Sequence, residues 1–229
     1  MNPVGEIALW GMLFIVTHLV LSSAKVRSWL VAKLAEQPFR GVYSIVAAAT
    51  LIPLILAFSH HKHAGPMLWY LRDSSVLRGL TVLLMFAALI FFAGSFVTPN
   101  PGGIGAPGEM RVRGILKITR HPSFVAFILF GLAHTLMNGW LGDLCFFGTF
   151  VVLGVVGGMH QDGRKLRELG EPYRRMVAET SFMPGAALVA GRVRLTGEDI
   201  PWAAIGIGSA LAIVLIAFHP YLFGGHPLG

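Results

Sequence analysis

The chain of 229 residues carries too few charged side chains to cover the surface of a water-soluble protein. Charged residues make up 13% of the sequence, hydrophobic residues make up 55%, and the mean hydropathy is +0.69. Soluble domains contain about 25% charged residues, so this composition excludes a soluble globular domain. The net charge of +7 accompanies no motif of a nucleic-acid-binding protein. The sequence therefore predicts an integral membrane protein whose main partner is the lipid bilayer, with no nucleic acid bound.

Six apolar segments follow one another along the chain, each close to the length that crosses a bilayer. A transmembrane helix needs about 20 apolar residues, and none of the segments shows the alternation typical of a membrane β-strand. No positive charge precedes the first segment, so we expect a retained helix and not a cleaved signal peptide. The sequence predicts an all-α, polytopic transmembrane helix bundle with about six spans, at 6–23, 41–59, 77–97, 122–139, 141–159 and 202–223.

The Lys and Arg residues are distributed unevenly between the two sides of the predicted bundle. Of the 18, 15 lie in the segments that follow the first, third and fifth spans, and three lie in the remaining segments. Short loops rich in Lys and Arg stay on the cytoplasmic side of a membrane. This pattern predicts that both termini lie on the non-cytoplasmic side.

Three connecting segments carry patterns of their own. Residues 26–34 are amphipathic and predict a helix that lies along the membrane interface. Residues 161–177 predict a basic helix after the fifth span. Residues 103–108 match the glycine pattern of a dinucleotide-binding turn, but they follow a membrane span and not a strand, so we interpret the match as coincidental.

Two pairs of small residues predict close helix packing. Gly154 and Gly158 are four residues apart in the fifth span, and Gly206 and Ala210 have the same spacing in the sixth. Small residues at this spacing allow two helix backbones to approach closely in a membrane. We therefore expect both pairs to lie at helix contacts.

Histidines are the most informative ionisable residues of the spans. His18 lies within the first span and His134 within the fourth, while His121 opens the fourth span and His160 closes the fifth. Ionisable groups inside a membrane are costly and usually face the bundle interior, where they serve a function. The alternative for the two deep residues is a core histidine hydrogen-bonded to a backbone carbonyl. We expect the histidines of the loop after the second span to be solvated, with metal binding as a weaker alternative: His60, His61 and His63.

Two buried imidazoles on different helices can hold a metal ion. Imidazole is a good ligand for Zn, Cu and Fe, and two facing helices of a bundle can supply both axial ligands of a haem iron. A structural zinc site favours four ligands with several cysteines, whereas Cys145 is the single cysteine of the sequence. The pattern thus favours haem over a structural zinc ion.

Several stretches of the sequence resemble the NnrU family in order and spacing. They extend over nearly the whole chain to about residue 190, which we expect to be an NnrU-like transmembrane domain, with 191–229 as an added sixth span. The matching stretches are 17–23 with Arg27, 120–122, 133–139, Asp162 with Arg164 and Lys165, and 180–184.

The resemblance implies a cofactor, a site and a location. Family members are bacterial membrane proteins named for an association with nitrite and nitric oxide metabolism, which implies a multi-pass protein of the bacterial inner membrane. The 15-cis-ζ-carotene isomerase, a membrane enzyme with haem b that isomerises a central cis double bond, looks like a relative. The resemblance therefore implies haem b and a lipophilic substrate. It implies His18 and His134 as iron ligands, Arg120 and His121 at the cytoplasmic mouth, and Arg164 and Lys165 as partners of the haem propionates or of lipid phosphates.

Two other functions are compatible with the sequence. Arg120-His121-Pro122 and the segment 170–174 are similar to parts of isoprenylcysteine carboxyl methyltransferases, which use S-adenosylmethionine. The tyrosine that usually follows the proline is absent, and 160–162 replaces the paired acidic residues of that family. The third possibility is a non-enzymatic assembly or transport partner with structural histidines.

Overall fold

A computed structural model describes residues 2–98 and 111–228, and within these ranges the chain is helical with a single isolated β-bridge. This confirms the predicted all-α membrane bundle. The glycine pattern at 103–108 lies outside the described residues. The α-helices are α1 Pro3–Ser22, α2 Ala24–Leu34, α3 Glu36–His60, α4 Ser75–Val97, α5 Pro122–Met137, α6 Leu141–Leu169, α7 Glu171–Glu179, α8 Ala186–Val189 and α9 Trp202–Phe223.

Five helices of the described ranges are long and apolar enough to cross a membrane, namely α1, α3, α4, α6 and α9. The fourth predicted span, 122–139, instead forms α5, which has 16 residues. At 1.5 Å per residue α5 is about 24 Å long, shorter than the hydrocarbon core of about 30 Å. Its end at Met137 follows from the tight connection to α6, where Leu68 and Leu141 form backbone hydrogen bonds around Gly139 and Pro66.

The cytoplasmic extension predicted at 161–177 is divided between two helices. α6 continues without a break from the fifth span to Leu169, and a new helix, α7, begins at Glu171. The boundary is Gly170, whose φ of 62° is a backbone conformation that glycine adopts without steric cost. Pro172 follows in the first turn of α7, a position that its missing N–H does not disturb. The predicted single basic helix is therefore wrong at this point, whereas a helix at 26–34 is confirmed as α2. Its position along the membrane interface stays a prediction.

Helix α6 is the centre of the bundle, with α1 and α5 packed against it and α4 and α9 packed beyond α5. The predicted helix contact is confirmed at Gly154, where a Cβ atom would meet Phe124 and Ile128 of α5. At Gly158 a Cβ atom would meet Phe182, which lies between α7 and α8 and not in a helix. The predicted contact at Gly206 and Ala210 is wrong. Both residues are exposed, and the contact of α9 with α4 is made by the other face of the helix.

The two ends of the bundle differ in character. α1, α4 and α6 end on the side that carries most of the Lys and Arg residues, which we call the basic side. On the opposite side, the loop after α3 contacts the start of α1 and of α6, since Gly65 approaches both Val4 and Leu141. The cytoplasmic location of the basic side and the domain boundary after residue 190 stay predictions.

Candidate functional site

His18 lies on α1 near the basic side, half-buried among aromatic rings. Its ring is 4.2 Å from that of Phe14 and 5.3 Å from that of Tyr43, measured between centroids. Its Nδ1 atom lies 2.8 Å from the carbonyl oxygen of Phe14, one helical turn earlier. A carbonyl oxygen only accepts hydrogen bonds, so Nδ1 carries the proton and Nε2 keeps its lone pair.

His134 lies on α5 near the opposite side and has the same local geometry. Its Nδ1 atom lies 3.0 Å from the carbonyl oxygen of Phe130, and its ring stacks on Phe147 of α6 at 4.7 Å. Nε2 of His134 therefore also keeps its lone pair. The residue lines a cavity of about 260 Å³ between α4, α5 and α9. His134 therefore has the backbone hydrogen bond expected of a core histidine, and it is still able to bind a metal ion through Nε2.

The two deep histidines lie in different layers of the membrane. The ring of His134 is level with Phe147 of α6. Ser22, one turn after His18 on α1, has its hydroxyl oxygen 3.4 Å from Nδ1 of His160, which also belongs to α6. Measured along α6 at 1.5 Å per residue, the two histidines are about 14 Å apart in depth.

A row of phenylalanine rings connects the two histidines. Phe14 of α1 and Phe150 of α6 have centroids 6.4 Å apart, and Phe150 and Phe130 of α5 are 5.2 Å apart. Side chains of a helix lean toward its N-terminus, and α1 and α5 run in opposite directions, so each imidazole leans toward the layer of the other. The side chains of His18 and His134 therefore both point toward the same aromatic region, but they do not contact each other.

Arg120 and His121 belong to a separate cluster around Asp162 on the basic side. Nε of Arg120 donates to Oδ1 and Oδ2 of Asp162 at 3.1 and 3.0 Å, and Nη2 donates to Oδ2 at 2.6 Å. Nε2 of His121 donates to Oδ1 of Asp162 at 2.8 Å, and the Tyr173 hydroxyl donates to the same oxygen at 2.7 Å. His121 is 2% exposed and Tyr173 is 1% exposed. The cofactor role of Arg120 and His121 stays a prediction, and in this structure Asp162 binds both side chains.

Tyr173 acts as a permanent donor in the Asp162 cluster. Burial and the hydrogen bond to Asp162 raise the pKa of Tyr173 well above its usual range, so its hydroxyl keeps the proton. We expect Tyr173→Phe to lower the free energy of unfolding by about 1.5–3 kcal/mol, the range for a hydrogen bond to a charged group. Thermal unfolding in detergent measures this loss. The exposed Tyr221→Phe serves as control, and an equal effect of the two changes would contradict the assignment.

Arg164 and Lys165 lie in a charged cluster between α2, α3 and α6. Arg164 Nη1 donates to Glu168 at 2.9 Å, and Lys165 Nζ is 3.8 Å from the same carboxylate. Arg27 pairs with Glu36 at 2.7 Å and approaches Glu168 at 3.6 Å. Nε of Arg164 is buried without a hydrogen-bond partner in the described part of the chain. This atom is a donor available to an anionic group, and the pairing with haem propionates stays a prediction.

Of the histidines predicted after the second span, His60 and His63 are exposed and His61 is partly exposed, and two of the three contact carboxylates. His63 Nδ1 lies 2.7 Å from Oδ2 of Asp143, a carboxylate of α6 that is fully buried, and its ring packs on Trp140 at 4.3 Å. His61 Nε2 is 3.5 Å from Glu6, and His60 is exposed. His63 remains exposed, as expected, but it also binds a buried carboxylate, a contact that the sequence did not predict. Among the described residues, no group of three or more His, Cys, Asp or Glu side chains could hold a metal ion.

Sequence reasoning missed three of the residues that shape these sites. Tyr43 contacts His18, Tyr173 contacts Asp162, and Arg72 lines the cavity of His134. Tyr173 lies in the segment 170–174 that is similar to the methyltransferases, but its hydrogen bond to Asp162, 11 residues earlier, was not predicted. No motif marks Tyr43 or Arg72, because their contacts join segments that are farther apart in the sequence. Arg72 carried one signal, since it is one of only three cations predicted on the non-cytoplasmic side.

Comparisons with known proteins agree with the resemblance seen in the sequence. The chain is similar to the chloroplastic 15-cis-zeta-carotene isomerase of Zea mays, with 29% identity over 168 residues that cover 70% of this chain and 44% of the relative. It is similar to the enzyme of the same name from Arabidopsis thaliana, with 26% identity over 205 residues that cover 83% of this chain and 53% of the relative.

The chain spans about half the length of these two relatives. No solved structure matches it. The sequence profile of the family described as NnrU protein matches residues 6–227, a range that includes α1 to α9 almost completely. This match confirms the resemblance, and the protein belongs to the NnrU family.

Proposed function

We propose that this protein is a haem-b-dependent membrane isomerase that acts on a cis double bond of a lipophilic polyene, with His18 and His134 as iron ligands. Two similar relatives are named as 15-cis-zeta-carotene isomerases. Membership of the NnrU family extends this similarity over nearly the whole chain. The apolar helices support a lipid environment for the chain, in which a hydrophobic substrate dissolves.

The observation that carries the proposal is the shared state of the two imidazoles. In both His18 and His134, Nδ1 is bound to the backbone carbonyl one turn earlier. Histidines that ligate metals almost always donate their second nitrogen to a carbonyl or carboxylate, which sets the tautomer and the ring orientation. Nε2 of each residue has no hydrogen-bond partner in residues 2–98 and 111–228 and is therefore free to ligate iron.

The surroundings of the two histidines fit haem in chemistry. Apolar rings from α1, α5 and α6 would contact the macrocycle, and the buried Nε of Arg164 lacks a partner on the side of His18. For one iron to take both ligands, the rings of Phe14, Phe130 and Phe150 would have to leave the region between them. When bound, haem supplies a redox-active iron, while the protein supplies ligands, orientation and exclusion of water.

The absorption spectrum of protein expressed with ample haem tests the ligand assignment. We expect a Soret band that is lost, or reduced at least tenfold in intensity per protein, in His18→Ala and in His134→Ala. His61→Ala is the control, since His61 lies in the loop after α3 and contacts Glu6, and it should keep the band. A colourless wild-type protein, or a full band in both variants, would remove the proposal.

Conversion of a cis polyene tests the activity separately. 15-cis-ζ-carotene is a suitable probe because it is the compound in the names of the two relatives. We expect chromatography to show isomer conversion by the reduced, haem-loaded protein and none by His134→Ala. A haem spectrum without conversion would keep the cofactor and contradict the isomerase function for this substrate.

The other functions compatible with the sequence stay predictions. Calorimetric titration with S-adenosylmethionine tests the methyltransferase alternative, and a colourless, stable protein that copurifies with another protein would favour the assembly partner. A link to nitrite or nitric oxide metabolism and a location in the bacterial inner membrane also stay predictions. The apolar helices support a multi-pass membrane protein, whereas the two relatives are named as chloroplastic and do not support a bacterial inner membrane.

A further inference from the structure

The cavity lined by His134 has a polar end and an apolar body. Its volume is about 260 Å³, and it opens between α4, α5 and α9 on the side opposite to the basic side. Arg72 and Arg78 line one end, while apolar side chains such as Met85, Leu89 and Leu215 line the rest. From Arg78 a shallow depression continues along α4 past Leu83. The shape thus joins a cationic end to an apolar path toward the lipid.

The two arginines at the polar end are not neutralised within the described structure. Arg72 donates to the carbonyl oxygen of Met137 and to Oδ1 of Asn138, and Arg78 donates to the carbonyl oxygen of Arg72. No carboxylate of residues 2–98 or 111–228 forms an ion pair with either of them, whereas Asp73 accepts from Tyr70. Two guanidinium groups held by neutral acceptors leave a positive charge that favours an anion.

A second and independent feature of the cavity is an unpaired polar atom. The hydroxyl oxygen of Thr81, which lines the cavity, is buried without a hydrogen-bond partner among the described residues. A buried hydroxyl without a hydrogen-bond partner is destabilising, so a polar ligand atom in the cavity would be stabilised by bonding to it. His219 of α9 also lines the cavity, and its Nδ1 is bound to the carbonyl oxygen of Gly225 at 2.8 Å. Its Nε2 has no hydrogen-bond partner in residues 2–98 or 111–228.

We infer that this cavity binds a single-chain amphiphile whose carboxylate or phosphate head lies on Arg72 and Arg78 and whose apolar chain lies between α4 and α9. The volume is below the range of about 300–1,000 Å³ for ligand clefts, which favours one chain over a diacyl lipid. The site goes beyond the proposed isomerase, whose named relatives act on a carotene, and it does not depend on iron. His134 is a shared wall of the two sites.

Calorimetric titration of the purified full chain in nanodiscs of a zwitterionic lipid tests the site, with or without bound haem. The probes are dodecanoate, dodecyl phosphate, dodecanol and inorganic phosphate, which share either the chain or the charge. We expect at least one anionic amphiphile to bind at least tenfold more tightly than dodecanol. Stronger binding of dodecanoate would indicate a carboxylate as the natural head, and stronger binding of dodecyl phosphate would indicate a phosphate.

Variants connect the binding to the proposed residues. We expect Arg78→Gln to weaken the preferred amphiphile at least tenfold, and Thr81→Val to weaken it while leaving the fold intact. Arg78 is the better of the two arginines for this purpose because Arg72 also holds the connection after α5. The control is Arg40→Gln on α3, which is exposed and pairs with Glu36 on the basic side.

Three results would overturn the inference: equal affinity for dodecanol and the anionic amphiphiles, unchanged binding in Arg78→Gln, or inorganic phosphate binding as tightly as dodecyl phosphate. The haem spectrum of Arg78→Gln separates this site from the proposed iron ligands. An intact spectrum with lost amphiphile binding supports the inference, and an intact spectrum with unchanged amphiphile binding contradicts it without touching the proposed function.

Discussion

Asp162→Ala is expected to lower the free energy of unfolding by about 3–5 kcal/mol, the usual cost of breaking a buried ion pair by removing one partner. The carboxylate of Asp162 accepts hydrogen bonds from Arg120, His121 and Tyr173. The Arg120 and Asp162 side chains are 12% and 15% exposed, so water replaces little of what the substitution removes. A loss of this size would make Asp162 the most important polar residue for the stability of the basic side.

The reason for the large effect is that Asp162 connects three segments of the chain. Arg120 and His121 precede α5, Asp162 belongs to the end of α6, and Tyr173 belongs to α7. Arg120 also donates its backbone N–H to the carbonyl oxygen of Ser181, which adds the segment after α7. Without the carboxylate, the buried donors of His121 and Tyr173 would lose their acceptor together and each would bear a desolvation cost, while Arg120 would lose its contacts with both carboxylate oxygens.

Chemical unfolding in mixed micelles measures the change in unfolding free energy of Asp162→Ala, and two further variants serve as comparisons. Asp162→Asn keeps the size of the side chain and one acceptor oxygen, so its cost should lie between that of the wild type and of Asp162→Ala. Glu171→Ala removes an acidic residue whose partners Arg174 and Arg175 are 72% and 76% exposed, and exposed pairs contribute about 0–1 kcal/mol. Equal losses for Asp162→Ala and Glu171→Ala would show that the Asp162 cluster does not hold the segments together.

The helices were predictable from the sequence because lipid leaves few alternatives. A backbone in a hydrocarbon layer must satisfy its own hydrogen bonds, so five long apolar runs could only become the membrane-crossing helices. The boundaries were harder. α6 continues to Leu169 because helix formation does not stop where hydropathy falls, and it ends at Gly170, where φ is positive.

The candidate site was predictable only in part. The deep positions of His18 and His134 follow from counting residues along their spans, but the Phe14, Phe150 and Phe130 rings between them depend on how α1, α5 and α6 rotate about their axes. Rotation is decided by many weak contacts that no spacing in the sequence encodes. The same limitation explains why the small residues of α9 were assigned to the wrong face.

The contact between α9 and α4 depends on Gly208. Ala204, Gly208 and Ala212 are buried at intervals of four residues on one face of α9. A Cβ atom added at Gly208 would lie 2.5 Å from Cα and 2.6 Å from N of Ile90 in α4. These are backbone atoms, which cannot rotate away as the end of a side chain can. Close approach of this kind is how small residues stabilise helix pairs in membranes.

We therefore expect Gly208→Ala to lower the free energy of unfolding by about 1–3 kcal/mol, as overpacking of a well-packed contact does. Gly206→Ala is the matched control because it lies in the same helix with no atom within 4 Å of its added Cβ, so it should be neutral or stabilising by about 0.5–1 kcal/mol. A loss of unfolding free energy in Gly208→Ala with a gain or no change in Gly206→Ala would show that the packed face of α9 contains Gly208. Losses of equal size in both variants, measured by chemical unfolding in micelles, would contradict the contact of Gly208 with Ile90. Because α9 and α4 also form two walls of the cavity lined by Arg78 and Thr81, we expect Gly208→Ala to weaken amphiphile binding as well, and Gly206→Ala to leave it unchanged.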